Sequence, residues 1–267
     1  MKSQIPNPKS PIGKGYVETN YGLIHYRCAG KSNNPQILLL HQTASSSVMY
    51  EVIMSLLADK FYLFAPDTLG FGGSDLPKNL ATMQIYADSL REASDQFGLK
   101  NPFVFGHHTG ASIAVQMEFD KPFAQKMILS GPPYLTNQQK ESFKKATQPI
   151  VIKENGAHLS NLWQRLRAKD ENAEISLTHR EFLLNLRAGE RYHEAYHAVF
   201  GHEFETQLAT LDCPVLVMAG NNDTLKNSLE PSFKALKNGE MRRVIGNTYI
   251  CDQLPKIVAE IIEEFFK

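Results

Sequence analysis

The chain has 267 residues, 42% hydrophobic and 21% charged. It is long enough to bury a sizeable core in one globular domain with an insertion, or in two small domains, and its composition excludes a disordered or repeat protein. Lys+Arg and Asp+Glu both number 28, a formal net charge of +0. No basic stripe calls for a nucleic-acid or membrane-surface partner, so a small, neutral substrate is the expected ligand.

The first fifteen residues, MKSQIPNPKSPIGKG, are polar and rich in Pro and Gly. They lack the apolar stretch of a secretory signal, and no later run reaches the length of a membrane span, so a cytoplasmic location is expected. GYVET-NYG-LIHYRCAG over 15–30 reads as a hairpin. Short apolar runs then recur: QILLL (36–40), FYLFA (61–65), PFVFG (102–106), KMILS (126–130), PVLVMA (214–219) and MRRVI (241–245). Together with the hairpin they make eight candidate strands. Segments of helical length and period at 47–59, 81–98, 110–119 and 255–266 alternate with them, the signature of a mostly parallel sheet covered by helices. From about 132 to 206 that rhythm stops. LSNLWQRLRAKD and THREFLLNLRAGERYHEAYHAVF are helix-like there and no strand is evident, so a helical insertion over the sheet is expected. Cys28, Cys213 and Cys251 are odd in number and widely spaced, which argues against a disulfide framework or a clustered metal site.

The run FVFGHHTGA (103–111) has the G-x-S-x-G frame of a nucleophile elbow, with His108 where the serine would stand. LLLHQTASSS (38–47) is similar to a strand and oxyanion loop, APDTLGFGGSD (65–75) to a D-x-x-G-x-G-x-S-D segment, and CPVLVMAGNND (213–223) to a strand that delivers a triad acid. In these motifs and their order the chain resembles the α/β-hydrolase superfamily over nearly all of its length. The resemblance implies an eight-stranded α/β core over residues 1–131 and 207–267 and a helical cap over 132–206. It also places Asp223 as the acid and Thr248, not a histidine, at the position of the general base. No histidine follows His202, so the usual triad lacks both its serine and its histidine.

The two losses are chemically compatible. A serine hydroxyl needs a base to become a nucleophile, whereas neutral imidazole, with a reference pKa near ~6.5, already offers a lone pair at pH 7. Histidine also tolerates the positive φ of an elbow better than most residues. With the second ring gone, the His108 imidazole is expected to lean into the vacated space and meet Asp223 directly or through one water. The resemblance further assigns Thr43 and Thr109 as sources of oxyanion-binding N–H groups. His41 is expected to brace the oxyanion loop. With Gln42, His107, Tyr134, Trp163, Tyr196 and Thr248 it makes up the set expected around substrate, in a largely apolar pocket above the strand ends.

One motif competes. His193-Glu194-Ala195-Tyr196-His197 matches H-E-x-x-H, which on a helix sets two imidazoles on one face for zinc. The extended form fails, with Phe200 at the glycine position and His202 one residue early, so no metal is expected. The bland alternative is a helix whose Tyr192, Tyr196 and Phe200 pack inward. The expectation is a cofactor-free enzyme acting on a small apolar ester, lactone or β-dicarbonyl through His108 and Asp223. Its alternatives are a lyase, cyclase or isomerase using His108 as base, and a ligand-binding protein without catalysis.

Overall fold

The computed structural model describes residues 11–267; the first ten residues of the expected core, and the reading of the amino terminus made on them, lie outside the described residues. Strands β1 (Gly13–Thr19) and β2 (Gly22–Ala29) form the expected hairpin, with Thr19 paired to Gly22 across the turn. Then follow β3 (Gln36–Leu40), helix α1 (Glu51–Leu57), β4 (Tyr62–Pro66), α2 (Met83–Phe97), β5 (Phe103–His107), α3 (Thr109–Asp120) and β6 (Met127–Ser130). The helical segment after β6 contains α4 (Asn137–Ala146), α5 (Ala157–Lys169), α6 (Ile175–Ala188) and α7 (His193–Phe200). The chain closes with α8 (Phe204–Leu208), β7 (Val215–Gly220), α9 (Leu229–Ala235), β8 (Gly239–Val244), α10 (Ile250–Gln253) and α11 (Pro255–Phe265).

The strands make one eight-stranded sheet in the order β1-β2-β4-β3-β5-β6-β7-β8, antiparallel at β1/β2 and β2/β4 and parallel elsewhere. Side chains alternate faces along a strand, so the apolar runs feed two layers. Leu38, Leu40, Val104, Leu129 and Val217 pack with α2, α3 and α8 on one face. Ile37, Leu39, Phe105, Ile128, Leu216 and Met218 pack with α1 and α11 on the other. Each such side chain contributes about 1.5–3 kcal/mol when fully buried.

Local signals set the helix ends. The helical pattern over 47–59 resolves into a 3-10 turn at Ser47–Tyr50 and then α1, because the Ser46 hydroxyl accepts from Val48 N–H and starts a tighter turn. Thr82 caps α2 by accepting from Ile85 N–H, and Gly98 ends it with φ 88°. The long run 178–200 is two helices, α6 and α7, because Gly189 adopts φ 66°, ψ −150° and breaks the ladder. Helix α4 buries no side chain and carries no apolar stripe; only the Thr136/Gln139 capping box announces it. The interval expected for the insertion ends inside α8, whose Phe204 and Leu208 are wholly buried in the layer with α3. Among the described residues no helix is long and apolar enough to cross a membrane. All three cysteines are free thiols, with Cys251 buried.

Candidate active site

Parallel strands deliver their carboxyl ends to one edge of the sheet, and His108, Asp223, Thr43, Thr109 and Thr248 gather there. At the end of β5 the chain turns through His108, at φ 50° and ψ −109°, into α3. A side chain held in this region costs of order 1–3 kcal/mol and persists only where surrounding packing fixes it. The packing comes from two glycines. A Cβ on Gly106 would lie 2.5 Å from the Gly110 carbonyl oxygen, and one on Gly110 would lie 2.0 Å from the Leu40 carbonyl oxygen. The start of α3 thus rests directly on the backbone of β3 and β5.

His108 Nε2 lies 2.9 Å from Asp223 Oδ2, in the loop after β7. Asp223 is 1% exposed, and its second oxygen accepts from Leu225 N–H at 2.7 Å. Burial pushes the Asp223 carboxyl up, but the His108 charge and hydrogen bond, His107 and the Leu225 N–H outweigh it and hold the group below its ordinary value. An ionised carboxylate only accepts, so Nε2 carries the proton that faces it, and in the neutral form of the ring Nδ1 is the nitrogen with the lone pair. Among the described residues Nδ1 has no hydrogen-bond partner, and it is not sealed from solvent.

Gly131, just after β6, makes the contact possible, a role that no motif announces. With φ 58°, its Cβ would sit 2.3 Å from His108 Cδ2, 2.4 Å from Nε2 and 3.3 Å from Asp223 Oδ2. The ring crosses over a residue that has no side chain to obstruct it. The only sequence signal is a glycine at a strand end, which is common in turns.

A cavity of about 190 Å³ opens on His108, with Asp223 behind the ring and outside the cavity wall. It is lined by His108, by the expected Gln42, Thr43, Thr109, Tyr196 and Thr248, and by residues not anticipated, among them Leu135, Phe143 and Lys169. Thr43 N–H points at Thr109 Oγ1 at 3.4 Å, and Tyr196 OH donates to the Thr43 carbonyl at 2.8 Å, tying α7 to the loop after β3. Thr109 opens α3, so its N–H has no intrahelical acceptor. The Thr248 hydroxyl accepts from Thr224 N–H at 3.3 Å and caps the loop that presents Asp223.

Four members of the expected substrate-facing set lie elsewhere. His107 is fully buried, donating from Nε2 to the Thr248 carbonyl at 3.0 Å and accepting at Nδ1 from Ser130 Oγ at 3.0 Å. Desolvation first, and then the neighbouring His108, push its pKa down to about 3, so it is a neutral strut. Strand alternation explains the error: adjacent His107 and His108 cannot both face the cavity. His41 is buried, donating from Nδ1 to the Gln42 carbonyl and accepting at Nε2 from Thr68 N–H, both at 2.8 Å; it braces the loops and does not line the cavity. Tyr134 lines a separate surface groove with Lys226, Glu230 and Arg243. Trp163 packs edge-on against Phe182 at 5.7 Å, outside the cavity wall, because α5 turns that face toward α6.

The H-E-x-x-H residues are engaged separately. His193 Nδ1 donates to the Glu190 carbonyl, His197 Nε2 donates to the Thr147 carbonyl, both at 3.0 Å, and Glu194 pairs with Arg191 at 2.7 Å. Among the described residues no group of three or more His, Cys, Asp or Glu side chains is placed to hold a metal.

A family model described as the alpha/beta hydrolase fold matches residues 35–255, and the chain belongs to that family. A haloalkane dehalogenase 2 of Mycobacterium bovis is 30% identical over 128 residues, 47% of this chain and 44% of that protein. The chain thus matches less than half the length of this curated relative. Among the solved structures that share the fold are a hydrolase from Pseudomonas aeruginosa (TM-score 0.81, 17% identity, covering 95% of this chain and 98% of that one) and a thermophilic esterase from Thermogutta terrifontis (TM-score 0.80, 19% identity, covering 95% and 98%).

Proposed function

We propose that the chain is a cofactor-free enzyme that hydrolyses a small ester or lactone by general-base catalysis, with His108 as the base and Asp223 as its positioning partner. The helical segment between β6 and β7 serves as a cap over the site. The observation that carries this reading is the 2.9 Å contact from His108 Nε2 to Asp223 Oδ2, which leaves Nδ1 free at the cavity wall. In the proposed reaction Nδ1 takes a proton from water while the water oxygen adds to the substrate carbonyl carbon. The N–H of Thr109, together with that of Thr43 once it leaves its weak 3.4 Å bond to Thr109 Oγ1, receives the developing oxyanion. The imidazolium, balanced by the Asp223 carboxylate, then returns its proton to the departing oxygen. The family membership and the hydrolase names of the relatives support hydrolysis as the reaction class.

A second reading uses the same base on a carbon acid: Nδ1 removes a proton beside a carbonyl, in a lyase, cyclase or isomerase step. It is favoured by the absence of a serine or cysteine at the elbow, where His108 stands. The two readings separate on short p-nitrophenyl esters against deuterium exchange into a β-dicarbonyl compound in heavy water. His108→Ala should lower kcat about 10²-fold or more in whichever reaction proceeds. His108→Ser should not restore it, because no base remains beside the hydroxyl. A fluorophosphonate probe should leave the protein unlabelled. Full activity in His108→Ala, or labelling of a serine, would remove the mechanism, and binding of such compounds without turnover would leave a ligand-binding protein.

A further inference from the structure

Among the described residues that line the cavity, Lys169 is the one lysine or arginine and none is an aspartate or glutamate. Lys169 ends α5, is solvent-accessible, and among the described residues makes no hydrogen bond and no ion pair. The groups whose electrostatics bear on it are the phenols of Tyr196 and Tyr249 and then one carboxylate, Glu181, which is already held by Arg180 Nε and Nη2 at 3.0 and 2.7 Å and by Ser45 Oγ at 3.0 Å. The charge on Lys169 is therefore left for something that enters the cavity.

The backbone that carries it is anchored. The adjacent Asp170 is 6% exposed and accepts from Asn247 Nδ2 at 2.8 Å and Gln253 Nε2 at 2.6 Å, anchoring the end of α5 to the loop that carries Thr248. An ammonium is a compact, strongly hydrated charge, and beside a cavity open to solvent it is matched best by an anion that can take the place of part of its water. The cavity, at about 190 Å³, lies below the roughly 300–1,000 Å³ of sites for drug-sized ligands. Beside the ammonium it offers Gln42, Thr224 and Thr248, and it is apolar at Leu135, Phe143 and Val199.

We propose that Lys169 binds a carboxylate carried by the substrate, so that the carbonyl compound acted on at His108 is a small monoanion, such as an oxo acid or the ester of a short dicarboxylic acid. This deepens the proposed function and rests on reading the His108 cavity as the substrate site. It also replaces the expectation of a neutral substrate, which overall charge balance alone had supported: net charge averages over the surface and does not report one cation in a cavity.

The test compares mono-p-nitrophenyl glutarate with p-nitrophenyl butyrate, as anionic and neutral esters, on the wild type, Lys169→Met and Lys169→Arg. The expected result is that Lys169→Met lowers kcat/KM for the anionic ester at least about tenfold more than for the neutral one, mainly through KM, and that Lys169→Arg recovers much of the difference. Equal losses for both esters would overturn the proposal, since they would mark Lys169 as serving the developing oxyanion or the fold. A binding arm keeps the proposal testable if neither ester turns over. By calorimetry, 4-oxopentanoate should bind the wild type at least about tenfold more tightly than 2-pentanone, with the preference lost in Lys169→Met and weakened by added salt. Failure of turnover with this preference intact would reject the catalytic reading alone, and absence of the preference would reject the anion site.

Discussion

The imidazole of His108 and the carboxylate of Asp223 meet across a residue that contributes only backbone. Because a Cβ at Gly131 would fall 2.3 Å from the ring, Gly131→Ala should push His108 off its partner while leaving both side chains in the chain. The expected outcome is a loss of kcat of about 10²-fold, comparable with His108→Ala. Thermal unfolding should report a cost of about 1–3 kcal/mol for alanine at positive φ. Activity within about threefold of wild type would show that the 2.9 Å contact is not required. The neighbouring histidines show how far residue type carries. His41, His107 and His108 are all near the motif loops, yet only the last has a ring nitrogen without a protein partner.

Helix α6 is joined to the rest of the site by charge. Arg180 reaches Asp252 of α10 at 2.6 and 2.9 Å and also holds Glu181, which in turn accepts from Ser45 in the loop after β3. The segment between β6 and β7 is thereby tied both to the oxyanion loop and to the last helices. Arg180→Met would leave two carboxylates, Asp252 and Glu181, without the cation they share. Removing one partner of a buried pair costs about 3–5 kcal/mol, and the guanidinium keeps 28% of its side chain exposed, so urea unfolding should show a loss of about 1–3 kcal/mol. A change below about 0.5 kcal/mol would mean that Tyr196 and apolar contacts hold the segment unaided. Sequence pattern located this segment between strands but read 178–200 as one stretch, because Gly189 breaks the ladder through a backbone conformation that periodicity does not register.

Acid sensitivity belongs to the molecule as a whole. His107 has a folded pKa of about 3 against an ordinary 6.5, lowered by desolvation and by His108. Asp67 is held at about 2 against 3.8: burial raises it, but the His25 hydrogen bond, His41, Ser47 N–H and Gly73 N–H lower it. Both folded values are depressed, so the stability they contribute is present above the unfolded values and is lost as pH falls toward the folded ones. His107 acts in the window from 6.5 to 3, with about 2 kcal/mol lost by pH 5, and Asp67 adds its own loss between about 4 and 2. Denaturant unfolding at stepped pH should therefore show stability declining from about pH 6.5 downward, and His107→Gln should flatten the upper part of the decline. An unchanged slope in that variant would place the acid sensitivity elsewhere.

Strand count, the elbow, the acid position and the missing second histidine were legible in the linear chain because they depend on local alternation and on short motifs whose residues are neighbours in sequence. The spacing of the apolar runs determined a parallel sheet, and a parallel sheet brings its carboxyl ends to one edge, so His108 and Asp223 had to be near each other. Which face each side chain took was decided only in three dimensions. His107 turned inward by strand alternation, Tyr134 and Trp163 turned away with their own elements, and Lys169 came to the cavity because Asp170 is anchored 77 residues along the chain, at Asn247. A lysine at a helix end is ordinarily a solvated charge favoured by the helix dipole. Beside the packing that joins α5 to the Thr248 loop, the same solvent-accessible side chain borders a cavity and has no partner of its own among the described residues, a relation set by contacts between segments that no local pattern encodes.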